Sequence, residues 1–493
     1  MEDCITKKNN SSGNKIMKSG KILVGWASRD VTPGKKVSLL GQFHVRISER
    51  VNDPLTTTAL ALESEDGKEQ AVMVSLDAAW GADAVMKLCR AKLRRELPDF
   101  DPEKLLINAT HTHTAPMSLC EVFPLPDPPG LGNGVMTVDE HDDFLSAKIS
   151  EEVIEAWRNR KPGAVSWGRG HAVIGFNRRV SYFDGTTAMY GKTDKPEFSH
   201  IEGHEDHGVE LMCTYDAGHR LTGMIVNVPC PSQCTEGASF ISADYWHETR
   251  CEIRKRHGGD LFILPQCSAA GDLSPRPMVN RLADARMLKL KGYGEEYNQA
   301  RRQDIADKIA AVVDEVLPLV DKDIRDQVEF GHLVSTIDLP LRHVTDSDLE
   351  HAKSQVAECN ARLVELKDSE PSSQDYSIAF KQRVFNQLVV DRYKDQKKGE
   401  ISLPIELHTL RVGDIAFCSN RFEYFVDYGM RIKARSKAIQ TFVIQLAGNG
   451  SYLPTERAMR GGGYGAYVAS TPIGPDGGQM IVEQQVKDID RLF

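Results

Sequence analysis

Residues 105–116 read Leu105-Leu106-Ile107-Asn108-Ala109-Thr110-His111-Thr112-His113-Thr114-Ala115-Pro116. A short apolar run passes at once into a polar loop that carries two histidines and is closed by a proline. Such a run, bounded by turn residues, predicts a strand buried on both faces. In extended backbone, residues two apart share a face. His111 and His113 can therefore point into one pocket, one as a metal ligand and one as a hydrogen-bond or proton partner. An HxH pair also serves as an ordinary structural or surface feature; its place directly after a buried run favours the first reading.

The same arrangement recurs four times. The run 224–228 leads to Pro229-Cys230-Pro231-Ser232-Gln233, and 261–264 leads to the loop 266–274. Near the C-terminus, 415–418 leads to Asn420-Arg421-Phe422-Glu423, and 442–447 leads to Gly448-Asn449-Gly450-Ser451-Tyr452. If these strands share a sheet edge, their loops converge on one crevice, where α/β folds place their sites. Helical spacing appears at Leu145, Ile149, Val153 and Trp157, at Ile305, Ile309, Val312 and Val316, and at Ala352, Val356, Cys359 and Leu363. The expected fold is α/β, with mixed β-sheets flanked by helices in a single large domain over 20–493. Residues 345–398 are expected to form an appended helical hairpin, and residues 1–19 a flexible polar tail.

Composition narrows the function. Of 493 residues, 41% are hydrophobic and 27% charged, and Gly (39) and Pro (23) are ordinary for a soluble globular chain. The formal charge of −9 argues against nucleic acid or an anionic membrane as partner, since both need clustered Lys and Arg. No run approaches the ~20 apolar residues of a transmembrane helix. The polar N-terminus lacks the apolar stretch of a secretory signal. Ten scattered cysteines, at 4, 89, 120, 213, 230, 234, 251, 267, 359 and 418, form no CxxC. They predict reduced thiols and a cytoplasmic protein.

Among single residues, Cys230 lies between two prolines and reads either as a small buried hydrophobe or as a thiolate ligand or nucleophile. Glu423 sits among Phe422, Tyr424 and Phe425, a costly setting for an unpaired carboxylate. Gly271-Asp272-Leu273-Ser274-Pro275 is a tight turn presenting Asp272 and Ser274, without the GxSxG pattern of serine hydrolases. Tyr452 and Tyr464 flank Gly461-Gly462-Gly463, which lacks the Lys-Ser/Thr of a phosphate loop. The cluster His200, Glu202, His204, Glu205, Asp206 and His207 has no recognised metal spacing and reads as a solvated connector. Arg178 and Arg179 are surface charges by default, although an arginine near a carbonyl stabilises an oxyanion.

Taken in order, Asn108 to Pro116, Asn177-Arg178, Asn227 to Ser232, Gly271 to Pro275, Glu423 to Gly429 and Ser451-Tyr452 resemble the neutral/alkaline ceramidases. The THTH and GDxSP segments are the specific parts. The resemblance implies a hydrolase with one Zn2+ per chain that cleaves the amide of an N-acyl sphingoid base. It implies His111, Glu423 and Tyr452 as metal ligands, with Cys230 where the family has its second histidine ligand. His113 and Arg178 would stabilise the oxyanion, Tyr464 would assist the leaving group, and Ser274 with Asp272 would orient substrate or water. The end at Phe493 leaves no room for the family's immunoglobulin-like domain, and the missing signal sequence points to a more polar substrate than long-chain ceramide. The expected partner is a small acyl-amide or ester substrate, with oligomeric state left open. The alternatives are a lactone or carbohydrate-ester hydrolase on the same scaffold, and a non-catalytic metal- or ligand-binding relative.

Overall fold

Two mixed sheets stacked face to face, with helices on both outer sides, form the body of the protein. The computed structural model describes residues 19–120, 124–132, 134–399 and 401–493. Of the expected tail, residues 1–18 lie outside the described residues. In the larger sheet the strands run in the order Phe262–Cys267, Leu221–Val228, Gly208–Asp216, Lys161–His171, Gly20–Asp30, Thr56–Ser64, Gln70–Leu76 and Leu105–Ala109. The two outermost pairs are parallel and the inner pairs antiparallel. The smaller sheet runs Phe330–Pro340, Ser402–Val412, Ile415–Ser419 and Gln440–Ile444, the last pair parallel.

Alternation along each strand explains the layers. Leu106, Met73 and Ile225 face the smaller sheet and meet Phe417, Phe442 and Ile444 in one apolar cluster. Their neighbours Leu105, Ile107, Val72 and Val74 face outward against the helices Asp83–Glu96 and Val138–Arg158. Met224, Val226 and Val228 likewise pack against Tyr245–His257 and Tyr297–Val320. On the far side, Ala416 and Cys418 of the smaller sheet meet the helices Val426–Arg435 and Pro475–Leu492. These strands carry apolar residues at successive positions because both of their faces are covered.

Each of the three helical patterns lies in a helix: Val138–Arg158, Tyr297–Val320 and Asp346–Glu365. The first and third open with capping boxes, Thr137 with Glu140 and Thr345 with Asp348. A second helix, Gln374–Gln396, packs on Asp346–Glu365 to make the hairpin. No helix among the described residues is long and apolar enough to cross a membrane.

Two expectations are corrected here. The stretch around His200 is not a solvated connector: Phe198–Ile201 is a strand paired with Arg179–Tyr182. Glu202 is buried on Arg179 at 2.8 and 3.0 Å, and Asp206 is buried on Lys433 at 2.8 Å. Arg179 is accordingly no surface charge; it is fully buried, because the carboxylate that neutralises it is buried with it.

The strand ends are fixed by a second buried pair. Asp77, just beyond Gln70–Leu76, accepts both guanidinium nitrogens of Arg250 at 2.8 and 3.0 Å and also the Thr110 hydroxyl at 3.3 Å. Both charges are withdrawn from water, so removing one leaves the other uncompensated. Arg250→Ala is expected to lower stability by about 3–5 kcal/mol, measured by urea unfolding, and Asp77→Asn with Arg250→Met together should cost less than the single change.

Candidate active site

The histidine loop is shaped by its threonines. Thr110 N and Thr112 N donate to Leu76 O and Ala78 O, at 3.0 and 3.1 Å. The Thr112 and Thr114 hydroxyls both donate to Ser242 O at 2.9 Å. With the threonines turned into the body, both imidazoles turn to the other side, with ring centres 4.9 Å apart. His111 takes a left-handed φ of 67°, a conformation non-glycine residues adopt only when their surroundings impose it.

His111 Nδ1 donates to Ala79 O at 2.6 Å, since a carbonyl can only accept. This leaves Nε2 facing the Glu423 carboxylate at 3.2 Å. A second proton or a metal ion must lie between them to make that contact favourable. Glu423 and Tyr452 are direct partners in a short parallel strand pair. Burial and the Glu423 charge push the Tyr452 phenol well above its usual range.

Arg178 joins these groups. One guanidinium nitrogen donates to Tyr190 OH (3.0 Å) and Gln233 Oε1 (3.1 Å), the other to Gly271 O (2.9 Å) and Tyr452 OH (3.3 Å). Glu423 Oε2 lies 3.8 Å away. Burial disfavours the charge, but the oxygens of Tyr190, Tyr452 and Glu423 outweigh it and hold the guanidinium firmly protonated.

Gln233, which carried no distinctive signal in the sequence, decides the state of His113. Its oxygen is committed to Arg178, so its Nε2 donates to His113 Nε2 at 2.9 Å. The His113 proton therefore sits on Nδ1, which has no hydrogen-bond partner among the described residues. The nearest carboxylate oxygen on Glu236 is 3.7 Å away. Burial, followed by the nearby charges of His111, Arg46, Arg178 and Arg276, keeps His113 well below the usual histidine range and so neutral. Gly41 permits this placement: a Cβ there would lie 2.3 Å from the His113 ring.

His111, His113, Arg178, Glu423, Tyr452 and Tyr464 thus all line one cavity of ≈ 450 Å³. Three other candidates lie elsewhere. Cys230, expected beside His111, Glu423 and Tyr452 as a fourth ligand, does not line this cavity. Its thiol donates to Ile174 O at 3.4 Å within the apolar layer behind the sheet, where burial and then Cys267 push its pKa well up. The turn through Pro229 and Pro231 directs Cys230 toward the helices, and its carbonyl is held by Tyr245 OH at 2.6 Å. Asp272 and Ser274 are also behind the cavity, so the expectation that they orient substrate or water is corrected as well. Asp272 accepts Val426 N and Asn177 Nδ2, each at 2.8 Å, and burial raises its carboxyl to about 6. Ser274 Oγ accepts Arg276 N at 3.2 Å. These residues brace the strands that carry Arg178 and Glu423. Gly271 completes the brace, since a Cβ there would meet Glu423 O at 2.3 Å.

No group of three or more His, Cys, Asp or Glu side chains suited to a metal occurs among the described residues. His111 and Glu423 are two side chains of these kinds facing one another, and Tyr452, whose phenol could act as a third donor, is the strand partner of Glu423. A spacing of 3.2 Å between Nε2 and Oε2 is close to that of two donors on a tetrahedral ion, about 3.3 Å for bonds of ~2.0 Å. The tautomer of His113 gives a direct check. Its ¹⁵N spectrum at neutral pH is expected to show a neutral ring protonated at Nδ1, and Gln233→Leu to mix the two tautomers; a protonated Nε2 in the wild type would contradict the hydrogen-bond assignment.

No protein-family model matches the chain, and no curated protein matches it. Solved structures do match, among them two ceramidases. One is a ceramidase complexed with C2, at 16% identity and TM-score 0.67, matching 96% of this chain and 76% of that one. The other is neutral ceramidase from Pseudomonas aeruginosa, at 17% identity and TM-score 0.66, matching 96% of this chain and 75% of that one. The chain therefore has the neutral ceramidase fold along nearly its whole length.

Proposed function

We propose that the protein is a zinc-dependent hydrolase of the neutral ceramidase type that cleaves an N-acyl amide bond with water. The observation that carries this reading is the convergence of His111, Glu423 and Tyr452 beside a fixed cation, Arg178, and a neutral donor, His113, at one end of a single cavity. Three protein donors with a remaining open position is the pattern of catalytic zinc sites, whereas structural sites are closed by four. His111, Glu423 and Tyr452 would hold the zinc, which when bound would supply Lewis-acid chemistry toward an acyl carbonyl and a water molecule.

The remaining work falls to the chain's own groups. His113 offers Nδ1–H to the carbonyl oxygen, and because Gln233 fixes the tautomer, no proton has to be rearranged as negative charge develops there. Arg178 places a permanent positive charge beside the same centre. Tyr464 has its phenol held protonated by burial and by Glu423, and stands edge-on to Tyr452 with ring centres 5.3 Å apart. A protonated phenol at that position donates to the departing amine nitrogen. The buried thiols of Cys89, Cys213, Cys230, Cys234, Cys267, Cys359 and Cys418 fit a reducing, cytoplasmic setting.

Protein purified without added metal is expected to contain about one zinc per chain. Glu423→Ala should lose it and Cys230→Ala should keep it; loss of zinc in the cysteine variant would restore Cys230 to the ligand set. With N-acyl amides, esters and lactones compared as substrates, amide cleavage is expected and should disappear on chelation. His113→Ala should lower kcat by about 10²–10³ while leaving zinc content unchanged. Turnover of esters or lactones alone would overturn the amidase reading.

A further inference from the structure

The cavity changes character along its length. Beyond the polar end, its walls become aromatic, in a series of ring contacts that leads from Tyr452 to Tyr464 (5.3 Å), on to Phe43 (5.8 Å) and then to Phe385 (5.4 Å). Phe385 belongs to the helix Gln374–Gln396, so the appended hairpin supplies the wall opposite the reactive groups.

That wall is anchored. Ser377 Oγ accepts Val45 N at 3.1 Å, Lys381 Nζ pairs with Asp127 at 2.7 Å, and Arg392 donates to Val468 O at 2.7 Å. The three partners sit close in sequence to Phe43, Leu125 and Ser470, all of which line the cavity. The helix is thereby tied to each segment with which it lines the space.

We infer that the hairpin, through Phe385, is the specificity element of this site, and that it receives the apolar chain or ring of the acyl group. This rests on the hydrolase reading for its reaction but not for its test, because the carboxylate product can be bound without turnover. Calorimetry with straight-chain carboxylates of increasing length probes it in the zinc-loaded protein. Affinity is expected to rise about fourfold per methylene until the chain meets the Phe385 wall, and then to stop rising. Phe385→Ala should move that limit to longer chains and Phe385→Trp to shorter ones. Phe385→Leu, a smaller loss of core volume, should shift it in the same direction as Phe385→Ala and serves if the alanine variant does not fold.

An unchanged limit in the folded Phe385 variants, a continuous rise to long chains in the wild type, or no carboxylate binding would overturn the assignment. A limit that moves with Phe385 while no N-acyl amide is cleaved would keep the hairpin's role and remove the amidase reading. Amide cleavage whose chain-length preference ignores Phe385 would do the reverse.

Discussion

One buried guanidinium holds the site together. Arg178 reaches Gln233, Gly271, Tyr190, Tyr452 and Glu423, groups brought in by five separate stretches of chain. A cation withdrawn from water must be surrounded by oxygens, and each oxygen here has its direction set by that demand. The consequences extend outward. Gln233 must present its carbonyl oxygen to Arg178, so it presents its amide nitrogen to His113, and a charge fixed on one side of the cavity decides where a proton sits on the other. Asp272 accepts the side-chain amide of Asn177, next to Arg178, with one oxygen and the backbone N–H of Val426, on the stretch that follows Glu423, with the other, keeping cation and carboxylate in register.

The stacked sheets make this constellation available. Three strands end in parallel pairings with a neighbour, at Ala109, at Val228 beside Cys267, and at Ser419 beside Ile444. The ends in the two sheets are stitched across the layer: Ala109 N donates to Leu446 O, Gln445 N to Cys267 O, and Asn227 Nδ2 to Val443 O. Polar groups at strand ends thus satisfy one another while the loops beyond them meet at one place. The polar groups that line the cavity stand on backbone whose hydrogen bonds are already committed, which limits their movement and favours preorganised electrostatics.

Much of this was legible in the sequence because it rests on local pattern. Strands buried on both faces appear as short apolar runs, and such runs leading into loops with His111, Glu423 and Tyr452 mark the sheet edge where those residues meet. Helical spacing at Leu145 to Trp157 identifies the buried face of one helix, since 3.6-residue periodicity is a property of the chain itself. Arg179 was less legible: its burial depends on Glu202, and the two meet only because a strand around His200 pairs alongside.

What the sequence determined by itself, then, is which elements form and which reactive side chains lie at their ends, because periodicity, capping and turn residues act within a few positions. Which of those side chains face the cavity was decided by the tertiary structure. Cys230 and Gln233 are three residues apart on one proline-bounded turn, and either could have met the histidines. The turn's path, fixed by Tyr245 and by Ser232 bonded to Thr110, sends the thiol into the apolar layer and the amide to Arg178. The helical hairpin follows the same rule. Its helices are written in their own spacing, but their place over the cavity comes from anchors at Val45, Asp127 and Val468, far away in the chain and near only after folding.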